Sequence, residues 1–177
     1  MYITKRLFLA SLLALTFALP VNIYVIGDAI GAALQFPFLR YQQTYLGNGV
    51  ITVLRDLDYV TSGTITGHSA LSILLWVLGT LLLVAAIVYF TVKRQNSYDS
   101  FRTPLSLLVG GAGGAYFASC IAQYGPTLRG PAGLTIPVGV PLIVAIAVYI
   151  LKTEGMDDEL EYEEEDEDDW EEADEEG

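Results

Sequence analysis

"LLVGGAGGAYFASC" occupies residues 107–120 and places glycine at 110, 111, 113 and 114. Glycines this dense make either a loop that cradles phosphate or a helix surface touched by another helix, and the fold class turns on which. A phosphate loop lies between a strand and a helix, and its specific form ends in Gly-Lys-Ser or Gly-Lys-Thr. Here apolar residues flank the glycines on both sides and no lysine is near. Irregular backbone in such a run would leave amides unsatisfied in lipid, so the stretch reads as helix. At a spacing of four, Gly110, Gly114, Ala118 and Ala122 form a stripe of small residues, the arrangement that lets a second helix approach to backbone contact.

That helix is one of four apolar runs, 7–26, 70–92, 105–124 and 134–151, none of which contains Asp, Glu, Lys or Arg. Each reaches the roughly 18 residues needed to cross about 30 Å of hydrocarbon. With 53% hydrophobic residues in the 177-residue chain, these runs predict an all-α integral membrane protein with four transmembrane helices over residues 1–153. Small residues recur at the same spacing in the first run (Ala10, Ala14, Ala18) and in the fourth (Gly133, Pro137, Pro141, Ala145). Pro137 and Pro141 predict a kinked or late-starting fourth helix.

Charge sets the orientation. Lys5, Arg6, Lys93, Arg94, Arg102 and Lys152 flank the runs on one side, against Arg40, Arg55 and Arg129 on the other. Lys and Arg are retained in the cytoplasm, so both termini are expected there and residues 27–69 outside, in a cell membrane. "KRLFLASLLALTFALP" has the basic start and apolar centre of a secretory signal, whose cleavage would leave three spans. No small-x-small site follows it and "VNIYVIG" continues the apolar run, so it reads as an uncleaved signal anchor. The 27–69 loop mixes aromatic, apolar and polar residues and is expected to form two short interfacial helices that divide near Gly47 to Gly49. A strand is the alternative for its β-branched second half.

All but Asp28, Asp56, Asp58 and Asp99 of the 21 acidic residues fall in 154–177. Like charges at this density predict a disordered cytoplasmic tail that stands away from the anionic leaflet. Leu160, Tyr162 and Trp170 interrupt it and are candidate anchors for a basic cytosolic partner.

Catalytic signals are sparse. The spans lack the ionisable residues that mark proton pumps and many transporters. Ser72, Thr80, Ser106 and Gln123 are expected to hydrogen-bond between helices. The fragment "ITGHSAL" around His68 resembles the Ser-Gly-His element of membrane phosphatidic-acid-type phosphatases, but His68 is the sole histidine, so the second histidine of that mechanism is missing and the match fails. Arg55, Asp56 and Asp58 read as a solvated cluster and Cys120 as a buried, inert thiol. No metal or other cofactor is expected, and no nucleic acid. The expected function is non-enzymatic: a scaffold or accessory subunit of a larger membrane complex, or a homo-oligomer, embedded in the lipid bilayer. The alternative is a small oligomeric transporter or channel component.

Overall fold

The computed structural model describes residues 5–27, 30–93, 98–131 and 133–153. In chain order these form α1 (Lys5–Ala18), β1 (Asn22–Ile26), β2 (Gly31–Gln35), β3 (Leu39–Thr44), β4 (Gly47–Thr52), α2 (Val53–Thr61), α3 (Gly67–Lys93), α4 (Tyr98–Tyr124), β5 (Arg129–Gly130), β6 (Gly133–Ile136) and α5 (Val140–Lys152). The strands make one antiparallel sheet in the order β4-β3-β2-β1-β6-β5. The fold is therefore mixed α/β, not the all-α bundle of four spanning helices expected from the apolar runs. Only α3 and the Phe101–Tyr124 part of α4 are long and apolar enough to cross a bilayer among the described residues.

Three local causes account for the difference. In the 7–26 run the helix stops at Ala18, because Pro20 disfavours helical geometry at the residue before it. The apolar residues beyond, among them Ile23, Val25 and Ile26, are β-branched and pair as strand β1. In the 134–151 run, α5 starts only at Val140, with Pro141 in its first turn, where a missing N–H leaves no bond unmade. The residues before it form β6, which pairs with β1 from Ile23↔Ile136 to Ile26↔Gly133. Gly133 sits at φ +123°, and a Cβ there would run into the Val25 carbonyl, so this close pairing requires glycine. Third, residues 31–52 form a three-strand meander where interfacial helices were expected, with Phe36 to Phe38 linking β2 to β3 and Tyr45 and Leu46 linking β3 to β4.

Helices α3, α4 and α5 pack antiparallel in sequence order, and α1 lies against α5. Phe90 meets Phe101 at 6.3 Å between ring centroids at one end of α3 and α4, and Ser72 bonds Ser119 at 3.0 Å toward the other. Between them the Tyr116 ring lies against Gly79, where a Cβ would come within 2.7 Å of it. Ser106 Oγ donates to the Ala147 carbonyl at 2.7 Å, joining α4 to α5, and Phe8 of α1 meets Tyr149 of α5 edge-on at 5.9 Å. This arrangement gathers the start of α1 at Lys5, the end of α3 at Lys93, Arg102 of α4 and the end of α5 at Lys152 at one pole. The sheet and α2 occupy the opposite pole.

The sheet is fastened to the middle of α3. Trp76 Nε1 donates to the Phe36 carbonyl at 3.0 Å and Thr80 Oγ1 to the Pro37 carbonyl at 2.6 Å. Phe38 stacks on Phe17 of α1 at 5.2 Å. From that point the sheet runs beside the outer halves of α3 and α4.

Candidate functional site

Strand register divides the sheet residues between two faces, because alternate side chains point to opposite sides. Pairing of Asn22 with Gln35, Gln35 with Arg40, Tyr24 with Thr135 and Ala33 with Gln42 places Asn22, Tyr24, Gln35, Arg40, Gln42 and Thr135 on one face. The other face carries Ile23, Val25, Leu34, Leu39, Tyr41, Leu134 and Ile136. The polar face is the one turned inward, toward the helices.

A cavity of about 320 Å³ lies under it. The sheet contributes Asn22, Tyr24, Ile26, Gln35, Arg40 and Gln42; α3 contributes Ser69, Ser72, Ile73 and Trp76; α4 contributes Ser119, Cys120, Gln123 and Tyr124. Asp56 and Ile65 complete the wall. Asp56 arrives on α2, whose start is capped by Thr52 accepting from the Arg55 amide at 3.4 Å. Arg40 Nη2 meets Asp56 Oδ1 at 2.7 Å, with the arginine side chain 23% exposed and the aspartate fully buried. The pair touches through one oxygen and one nitrogen.

Four buried polar atoms have no hydrogen-bond partner among the described residues, and all four belong to residues lining this cavity: Asn22 Oδ1, Tyr24 OH, Arg40 Nε and Asp56 Oδ2. Asn22 is held by its other end, donating from Nδ2 to Cys120 Sγ at 3.1 Å. Burial raises the Asp56 carboxyl above the ordinary carboxylate value, and the Arg40 cation opposes this less strongly. Burial likewise raises Tyr24, again against a smaller pull from Arg40.

The Asp56 shift has a sign that can be measured. A carboxyl that binds its proton more tightly folded than unfolded stabilises the fold most at pH below its unfolded value, and that contribution falls as pH rises toward the raised folded value. Melting temperatures from about pH 4 to about pH 7 are therefore expected to decline more steeply for the wild type than for Asp56→Asn. Parallel profiles would contradict the assignment.

The residues singled out from sequence fall in several places. Asp56 turns inward, whereas Arg55 stays exposed with Nε on Tyr59 OH at 2.7 Å, and Asp58 is exposed. His68 is exposed in the first turn of α3 and does not line the cavity. Gly110 lies where a Cβ would meet Ala147 of α5 at 3.5 Å; Gly113 faces Ile143 and Val144, and Gly114 faces open space. Ala118 and Ala122 are half-buried. Leu160, Tyr162 and Trp170 lie outside the described residues. Asn22, Tyr24 and Arg40 were not anticipated, although polar residues at alternate positions in Asn22–Ile26 and Leu39–Thr44 carried the signal.

Chemically the cavity offers donors and acceptors within aromatic and aliphatic walls. Its one thiol, Cys120, is engaged by Asn22, and no histidine lines it to serve as a base. Among the described residues no group of three or more His, Cys, Asp or Glu could hold a metal. No protein-family model matches the chain, and the curated proteins compared with it show no significant similarity.

Proposed function

We propose that this chain is a non-enzymatic membrane protein that binds a small polar molecule in the cavity beneath its sheet, as an accessory subunit of a membrane assembly. The observation that carries the binding role is the convergence of Asn22 Oδ1, Tyr24 OH, Arg40 Nε and Asp56 Oδ2, all unpartnered, on one cavity. Buried polar groups are normally hydrogen-bonded, so a guest that offers partners to several of them at once matches this cavity. Among the described residues the lining pairs no nucleophile with a base, which favours binding over catalysis.

The bilayer placement draws support from surfaces that water would disfavour. Leu71, Leu74, Leu78, Leu81, Val84, Val88 and Val92 are exposed along α3, an apolar stripe roughly 30 Å long at about 1.5 Å per residue. The sheet adds Leu134, Ile136 and Val50, also exposed. With Lys93, Arg102 and Lys152 at one pole, we place the basic pole in the cytoplasm and the sheet toward the outer side, its attachment to α3 at the depth of the bilayer. On this reading residues 154–177 stay in the cytoplasm, where Leu160, Tyr162 and Trp170 engage a basic partner.

Two measurements test it together. In a Cys120→Ala background, a cysteine at Asn48 is expected to react with an impermeant maleimide on intact cells, and one at Thr153 only after permeabilisation. Protein extracted from its native membrane in mild detergent and then denatured is expected to release a small molecule that Ser69→Trp, which fills the cavity, does not carry. The reverse labelling pattern would overturn the orientation, and release of the same molecules from both proteins would overturn the binding role.

A further inference from the structure

We propose that the cavity binds an uncharged, hydroxyl-rich molecule of about monosaccharide size, either free or as the headgroup of a lipid. This rests on the binding role above and adds the chemical class of the guest.

Size comes first. At about 320 Å³ the cavity stands at the small end of the roughly 300–1,000 Å³ typical of small-molecule sites, room for one ring with its substituents. Charge comes second. Among the described residues Arg40 and Asp56 are the only formally charged ones in the lining, and they neutralise one another at 2.7 Å. A guest with net charge would be desolvated without a counter-charge to meet it. A zwitterion would need each of its charges to compete with an ion pair already made. Burial, rather than a neighbouring charge, dominates the upward shifts of Asp56 and Tyr24, the mark of surroundings that penalise ionised groups.

The unpartnered atoms give the third argument. Asn22 Oδ1 and Asp56 Oδ2 can only accept from a guest while Asp56 is ionised; Arg40 Nε can only donate; Tyr24 OH does either. A guest must therefore offer donors and acceptors side by side, as a vicinal pair of hydroxyls does with one functional group. Arg40 and Asp56 each keep one vacant atom next to the contact between them, so neighbouring hydroxyls can bridge the pair without breaking it. The Tyr24 and Tyr124 rings, 6.3 Å apart, supply flat apolar surface for the C–H face of a sugar-like ring.

The full chain, reconstituted in nanodiscs of phosphatidylcholine, is titrated in two arms. One arm adds methyl glucoside or myo-inositol from solution, with glutamine and choline as zwitterionic and cationic controls. The other replaces about a tenth of the lipid with glucosyl diacylglycerol. Calorimetry or saturation-transfer NMR is expected to show saturable binding of a neutral polyol in at least one arm, and the arm identifies the source. Tyr24→Phe removes a hydroxyl whose only polar neighbour among the described residues is a weak contact with Arg40, so the variant is expected to stay folded and melt close to the wild type while binding about tenfold more weakly. Ser69→Trp is expected to abolish binding. Binding of glutamine or choline in preference to every polyol, and sensitive to Tyr24→Phe, would overturn the neutral class while leaving a binding cavity in place. Absence of binding by every probe to a folded protein would overturn the proposal, and the co-purification experiment then decides separately whether the cavity holds any guest.

Discussion

Arg40→Met is expected to destabilise the protein by about 3–5 kcal/mol at neutral pH, because it strands the Asp56 carboxylate without its cation. Asp56 is fully buried, and its Oδ1 has Arg40 Nη2 at 2.7 Å as partner. The carboxyl responds by holding its proton to higher pH, so part of the loss is expected to return as the solution is acidified. A double variant, Arg40→Met with Asp56→Leu, removes both charges and is expected to recover most of the stability, since apolar groups can replace a buried pair at little penalty. Denaturant titration of the detergent-solubilised protein at two pH values reads all three outcomes. A single variant as stable as the wild type would show that the pair is solvated rather than buried.

Trp76→Ala is expected to be comparably damaging, by about 3–5 kcal/mol, for a different reason. The indole is 1% exposed, lies within the main core and also donates Nε1–H to the Phe36 carbonyl that turns β2 into β3. Truncation opens a large void and releases the sheet's attachment to α3. Trp76→Phe keeps most of the volume and loses the donor, so about 1–3 kcal/mol is expected from the stranded carbonyl alone. Hydrogen exchange reports where the damage falls: amides of Leu39–Thr44 are expected to lose protection before those of α4. Uniform loss across both would mean that the tryptophan supports the bundle as a whole and not the sheet in particular.

Helices α3 and α4 are clear in the sequence, because their apolar runs are long, free of charge and uninterrupted after Pro104. The division between basic and sheet-bearing poles is legible there too. The strands are hidden by length: in 7–26 and 134–151 a short helix and a strand adjoin one another without a charge between them, and a scan for apolar runs sums the two into one span. Pro20 and Pro137 mark the divisions, and the β-branched residues beside them mark the strands. The cavity is less legible still. Asp56 reads from sequence as part of a solvated cluster, since its burial depends on Arg40 reaching it from a strand sixteen residues earlier. Asn22 reads as an isolated polar residue at the outer end of a span until β1 places it opposite Cys120.

The sheet is closed by segments far apart in the chain: β1 comes after the first helix, and its partner β6, with Thr135 donating to the Ile23 carbonyl at 3.4 Å, arrives 112 residues later. The β1–β4 meander can form soon after it is synthesised, but its β1 edge stays open until the loop after α4 has emerged. Biogenesis therefore passes through a stage with an unpaired edge beside an incomplete pocket, and that stage is where a chaperone or a mispairing strand has its opportunity.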